Sequence, residues 1–510
     1  MKNILIAIRS IFKKGRHNVM KIVSLGIGLA VGLVLIAKVY FEQSYDDFYP
    51  DRDRVYQVWA KYQQNGGELK DYPQTSGGIA PTMQQQIPEI ETVTRYTSFG
   101  DWTFTMTDTK MKYSGRCIIA DSCFFDILPR PMLIGNAKEV LSIPMYVLVS
   151  SRIAKNIGGD VIGKNFTVDS SPGRTMTIGG VFEEVPENSH SRYDVIVSMA
   201  SAGRFMWEGS PTNMLGNDRY ISYVKLHKGV NPLALEEQVH TFVNSYFPPE
   251  EQQKTGFNIG FSFHELDGLH KELPQVKRMT WILSLLAFAL IFTAVMNYIL
   301  IVISSIVNRS KEVAVHKCYG ASENNIHGMM FGEALVHIVL SLILALLLIL
   351  AFRGTVEELL ATSLDSLLLS NGSLVLLGIC ILVFFVSGFM PGSLYARIPV
   401  ASAFRNYREN KRIWKKALLL VQFVATGFLV TMLVFVARQY TFMVNDRPGY
   451  AYENLAYCGL AGVDSTSRAK ILDEVMRLPG VVAATTVYQL PFEHASGNNI
   501  LLPGETQELL

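Results

Sequence analysis

Charged residues are scarce in this chain, and their signs nearly cancel. Of 510 residues only 18% are Asp, Glu, Lys or Arg, and the formal net charge is +2. Such a balance supplies no basic face for a phosphate backbone, so composition gives no support to a nucleic-acid partner. Cysteine is sparse too. Cys117, Cys123, Cys318, Cys380 and Cys458 form no C-x2-C pair of the kind that holds zinc. Cys117 and Cys123 could bridge in an oxidising compartment, but two buried free thiols are the favoured reading. A nucleotide-binding loop is missing. Gly158-x4-Gly163-Lys164 comes near one, yet Asn165 stands where Ser or Thr would hold Mg²⁺. We read it as a surface turn. His264-Glu265 lacks the second His of a zinc-protease helix, and no G-x-S-x-G occurs. With no catalytic constellation, the expectation is a non-enzyme with no catalytic, cofactor-binding or metal residues.

Apolar residues are what the chain has in plenty. They make up 49% of it, with a mean hydropathy of +0.22. That is high for a soluble protein and low for one wholly in lipid, so a mixed protein is expected. Five runs read as bilayer spans: 22–40, 279–306, 334–352, 374–394 and 417–437. Each has about 19–28 residues, enough for a helix to cross a core of about 30 Å. Lys38 lies near the end of the first, where its stem can snorkel outward. The first run is read as a retained anchor, because it is long and no A-x-A site follows.

Charge orients the spans. Lys2, Arg9, Lys13, Lys14, Arg16 and Lys21 precede the first span with no acid among them. Arg397, Arg405, Arg408, Lys411, Arg412, Lys415 and Lys416 lie before the fifth, against Glu409 alone. The positive-inside rule then makes segments 1–21, 307–333 and 395–416 cytoplasmic. Residues 41–278 and 438–510 fall outside. Residues 41–278 read as a folded α+β domain. Trp102–Thr107 alternates apolar and hydroxyl residues as a half-buried strand does, and 54–62, 176–182 and 219–226 also read as strands. Asn231-Pro232 opens a helix carrying Leu235, Val239, Phe242, Val243 and Tyr246. Residues 86–94 resemble residues 477–485, which suggests a duplicated module whose second copy is cut short. The fold class is thus an α-helical multi-pass membrane protein with a large α+β extracytoplasmic domain.

Two polar residues fall near or within spans. Asn297 in the second is read as an interhelical contact, and Glu333 at the start of the third as structural. The segment between these spans, Arg309–Ser322, has its own pattern. Val313, Val315, Cys318 and Tyr319 supply apolar surface, while Lys311, Glu312 and Lys317 are polar. Gly320 is a helix stop, and Ser322 can cap the helix that follows. A helix lying on lipid is one reading. Docking into a protein cleft suits the short length and mixed charge better.

This segment resembles the signature of the FtsX-like permeases of ABC transporters, K-E-[IV]-[AG]-[IV]-[RH]-K-x-x-G-A-S. Here it runs Lys311-Glu312-Val313-Ala314-Val315-His316-Lys317-Cys318-Tyr319-Gly320-Ala321-Ser322, with His316 in place of the more usual Arg. Tyr45–Tyr49 with Asp53–Tyr56 is similar to the opening of a MacB-like periplasmic core domain. Val181-Phe182 and Pro186–His190 resemble its G-V-F-x-x-x-P-x-N-S-H run. Val421-Gln422-Phe423 looks like the fifth span of tandem members. The resemblance implies a bacterial inner-membrane permease with no cofactor of its own. It implies a separate cytoplasmic ABC ATPase dimer docking on Lys311, Glu312, Val313, Val315, Lys317, Gly320, Ala321 and Ser322. ATPase closure would then move the periplasmic domain, to export or extract a peptide, antibiotic or lipoprotein. The alternative it implies is a regulator that drives a cell-wall hydrolase without transport. It also implies a homodimer or tandem pseudo-dimer, with a periplasmic adaptor or outer-membrane channel as further possible partners. A transmembrane sensor is disfavoured, because no cytoplasmic stretch is long enough for a signalling domain.

Overall fold

The computed structural model describes residues 17–487, except 65, 170, 217, 370–371, 397–398, 401–412, 446–453, 461–462 and 464. The basic residues expected before position 17, those at 397 and 401–412, and the tail from 488 lie outside the described residues.

A first long helix, α1 (Asn18–Gln43), leads directly into an eleven-stranded sheet. Its central strands are β1 (Val55–Gln64), β3 (Ile90–Met106), β4 (Lys112–Ala120) and β10 (Ile221–Leu226). Between β1 and β3 comes the short β2 (Lys70–Tyr72). The remainder are β5 (Met132–Ile134), β6 (Tyr146–Ser150), β7 (Asn165–Val168), β8 (Ser171–Phe182), β9 (Val195–Ser198) and β11 (Phe257–Glu265). The order runs β11-β1-β10-β3-β4-β9-β6-β8-β5. Among the described strands β4–β9 and β6–β8 pair in parallel and the other pairs are antiparallel.

Strand alternation sorts the side chains into separate cores. From β1, Tyr56, Val58 and Ala60 face two helices, α2 (Ile79–Gln86) and α3 (Glu236–Tyr246), and are buried with Met83 and Phe242. Val55 faces the other way, into a core with Tyr96, Phe124, Phe182 and Tyr223. Trp102, Phe104 and Met106 are all buried, as the apolar–hydroxyl alternation predicts. The helix expected after Asn231 opens as a 3-10 turn, Pro232–Leu235, before α3 proper. Gly158–Lys164 links a helix to strand β7 rather than a strand to a helix, so it lacks a nucleotide loop's geometry. Cys117 and Cys123 are free thiols, and the Cys123 thiol donates to the Val93 carbonyl. Burial raises both above the usual thiol range.

After the sheet come α4 (Pro274–Ser304), α5 (Ile306–Cys318), α6 (Glu323–Ala351), α7 (Ser373–Ala396) and α8 (Ile413–Asn445). Among the described residues five helices, α1, α4, α6, α7 and α8, are long and apolar enough to cross a membrane. At 1.5 Å per residue the 31 residues of α4 span about 46 Å, more than the ~30 Å of a hydrocarbon core. Glycine lets α1 and α4 approach closely. A Cβ on Gly28 would lie 2.3 Å from the Ala294 Cβ, and one on Gly32 would lie 2.4 Å from Ile291. The faces turned outward are apolar, as along Val23, Ile27 and Val31 of α1. α8 is exposed along most of its length, and among its described side chains Gln422 alone is buried.

Two lysines depart from their expected settings. Lys21, assigned to the basic segment 1–21, sits inside α1 and is fully buried. Lys38 reaches toward the sheet end of α1, but its head group meets protein there. It is buried, ion-paired with Glu42 at 2.6 Å and donates to the Thr362 hydroxyl at 2.8 Å. Residues 465–476 form a helix ahead of the second of the similar nonapeptides. Its residues 477–485 form no strand, whereas β3 begins at Ile90 in the first.

Candidate functional site

The Lys311–Ser322 segment folds as a helical hairpin. α5 ends in a Schellman motif: the Ala321 amide donates to the His316 carbonyl and the Gly320 amide to that of Lys317, each at 3.0 Å. Gly320 takes a φ of +86°, a left-handed conformation that a side chain resists. Ser322 caps α6, its hydroxyl accepting from the Asn325 amide, with Glu323 in the first turn where the helix dipole favours an acid. The turn is therefore set by local chemistry.

Its faces differ. Val313 and Ala314 are each 1% exposed and belong to the bundle's apolar core. Val315 is 44% exposed and Tyr319 89%. Lys311, His316, Cys318, Gly320 and Ser322 are also exposed, while Glu312, Lys317 and Ala321 are half-buried. Val313 thus departs from its expected role: helical spacing turns it inward, and Val315 with Tyr319 carries the apolar outer surface. That surface lies at the end of α4 remote from the sheet, because the sheet leads directly into the other end of α4. The Tyr395 hydroxyl, donating to the Val302 carbonyl at 3.1 Å, ties the end of α7 to this corner.

Close by, α1 and α6 bury a polar cluster. Lys21 Nζ lies 3.6 Å from Glu333 Oε1 and donates to the Asn18 side chain at 3.3 Å. One turn on, His337 Nδ1 meets the Tyr298 hydroxyl of α4 at 3.2 Å, and the Ser341 hydroxyl donates to the Ile22 carbonyl. Sequence reasoning placed Glu333 near an interface but missed its partner, which is hundreds of positions away. Asn297 is half-buried on α4. Among the described residues no group of three or more His, Cys, Asp or Glu side chains could hold a metal ion. What this corner offers chemically is a rigid, exposed knob of mixed charge and aromatic surface, backed by a buried ion pair.

A sheet domain carried on a bundle of apolar helices long enough to cross a membrane, with such a hairpin at the bundle's far end, is an architecture suited to a membrane protein. Residues 20–242 match the family model of the MacB-like periplasmic core domain, and residues 284–400 that of the FtsX-like permease C-terminal domain. The chain belongs to the FtsX-like permeases with a MacB-like periplasmic core domain, a family of ABC transporter components. Among solved structures it is similar to a domain of a putative permease from Porphyromonas gingivalis. That likeness has 32% identity and a TM-score of 0.39 and covers 42% of this chain and 91% of that one. The periplasmic region of MacB from Actinobacillus actinomycetemcomitans is 15% identical at a TM-score of 0.29, over 43% of this chain and 92% of that one. The extracellular domain of the noncanonic ABC-type transporter YknZ from Gram-positive bacteria is 10% identical at 0.29, over 40% and 98%. No curated protein matches the chain.

Proposed function

We propose that this chain is the transmembrane subunit of a mechanotransmission ABC transporter. A separate cytoplasmic ATPase dimer docks on the outer face of α5 and its turn. ATP-driven closure rocks the helices, and the sheet domain, in the periplasm, follows. The moved domain exports or extracts a hydrophobic cargo at the outer face of the inner membrane. Chain termini and the hairpin are oriented by the basic segments, with 41–278 outside and 307–333 inside. The boundaries of the five spans belong to this proposal too.

One observation carries the reading. Val315, His316 and Tyr319 stand exposed on a hairpin whose other face, Val313 and Ala314, is locked into the helical core. A force applied to the outer face therefore reaches α4 and α6 instead of being lost in a loose loop. A closing ATPase can bias the helices only through contacts that differ between its two states, and this knob supplies such contacts.

The test is co-purification of the full-length protein with the ATPases encoded beside it, with and without Val315→Asp. We expect one of them to bind, and the variant to weaken binding at least about tenfold, the equivalent of about 1.4 kcal/mol. Absence of any bound ATPase, or equal binding by the variant, sinks the docking surface.

A further inference from the structure

The Pro186–His190 run, unassigned by the sequence beyond its likeness to a family pattern, meets two other parts of the chain at one place. The Asn188 side-chain amide donates to the Ser44 carbonyl at 2.6 Å, just past the end of α1. The Asp46 amide donates to the Asn188 carbonyl at 2.9 Å. Asp46, a non-glycine residue held at a φ of 59° and fully buried, accepts from the Ser189 hydroxyl at 2.9 Å and faces His190 Nδ1 at 2.7 Å. The other His190 nitrogen meets the hydroxyl of Tyr223, a fully buried residue of β10. The Glu187 carboxylate accepts from the Ser363 amide at 3.0 Å, in the connection between α6 and α7.

A second cluster adjoins it on the side of the bundle. Lys38, paired with Glu42 and bound to Thr362, links α1 to that same connection. Glu42 also meets His270 Nε2 at 2.6 Å, just ahead of α4, and the His270 ring stacks on Tyr45 with centroids 3.5 Å apart. Ala37, Phe41 and Leu367 close the space between with buried apolar contact. Four elements thus meet here: the end of α1, the start of α4, the α6–α7 connection and the sheet.

Exposed loops joined by one peptide link would let the helices turn beneath the sheet. These contacts do not. Buried, charge-assisted hydrogen bonds have directional geometry, and replacing one partner strands the other. We propose that Lys38, Glu42, Glu187, Asn188 and His270 are positioning residues of a rigid joint that hands helix motion to the sheet domain. The α6–α7 connection acts as its second arm, beside the covalent link. This inference rests on the proposed function, because it presumes that such motion occurs.

The experiment places a dye on Thr109, at an exposed turn of the sheet domain, in the full-length protein with its ATPase in nanodiscs. Energy transfer to headgroup-labelled lipid is read without nucleotide and with ATP trapped. The wild-type signal should change on trapping. Glu187→Ala and Lys38→Met should keep ATPase binding and hydrolysis within about twofold while losing most of that change, and Lys38→Arg should restore part of it. Merely structural residues would lower stability without separating hydrolysis from movement. A full nucleotide-driven change in both variants, with the protein folded as judged by its melting curve, overturns the joint. A constant signal in the wild type instead overturns the proposed function. Should Lys38→Met fail to fold, half-buried Glu187 still decides the question.

Discussion

The sheet domain and the helical bundle both bury large side chains, but they differ in what they expose and in how closely their backbones approach. In the sheet domain large side chains fill the interior: Phe104, Phe124, Phe166, Phe182 and Tyr223 are all essentially inaccessible. In the bundle large apolar side chains also point outward, as Phe423, Phe428 and Phe435 do on α8, while the small residues Gly28, Gly32, Ala287 and Ala294 bring α1 and α4 together beside buried Leu29, Tyr298 and Ile299. The bundle also buries the Lys21–Glu333 pair. Water drives the first arrangement, since burying apolar area is what stabilises a domain in an aqueous phase. Lipid removes that drive between helices, leaving close backbone approach and polar contacts to hold them.

Substitutions can break that contrast. Phe182→Ala should cost the sheet domain about 3–5 kcal/mol, the usual range for emptying an aromatic site in a core. Thermal unfolding with proteolysis of the sheet domain reads it, and a loss below about 1 kcal/mol would mean the core is loosely packed. Lys21→Met should also cost the bundle, by up to about 3–5 kcal/mol, because Glu333 loses the buried cation 3.6 Å away. The double variant Lys21→Met with Glu333→Leu should recover most of it. If the single variant unfolds no more readily in detergent, the pair is not holding α1 to α6. Gly28→Val comes next, at about 1–3 kcal/mol for overpacking against Ala294. A neutral result would show that α1 and α4 stand farther apart.

The smallest effect sits on the sheet's surface. A hydrogen bond from Lys225, with Arg54 beside it, holds the Asp51 carboxyl below its ordinary range against a smaller opposing effect of burial. A depressed carboxylate stabilises the fold above its unfolded pKa of about 3.9 and loses that contribution as pH falls through the folded value. Lys225→Met should therefore flatten the acid limb of the stability curve. Asp51 is more than a third exposed, so solvent screening keeps the change below about 1 kcal/mol. An unchanged acid limb would remove the pair from the account.

Long apolar runs and strand alternation were legible in the sequence because both are periodic and local. So was the turn at Gly320–Ser322, whose cap and stop residues act within a few positions. Partners distant in sequence were not. Lys21 read as part of a cytoplasmic basic segment and Lys38 as a snorkelling cation, because Glu333 and Thr362 lie so far along the chain. Val313 read as docking surface because spacing alone gives a helix its faces without saying which one the bundle covers. The Pro186–His190 run was legible only as part of a family pattern, and its contacts lie where the sheet meets α1 and the α6–α7 connection.

The central claim is that force enters at the outer face of α5 and leaves through the sheet domain. Energy transfer from Thr109 to the bilayer tests it most directly, in the wild type beside Val315→Asp, with the cognate ATPase trapped on ATP. The account predicts a nucleotide-dependent change in the wild type and none in the variant, with both proteins folded alike. A signal that stays constant while ATP binds and turns over on the wild-type complex would contradict it.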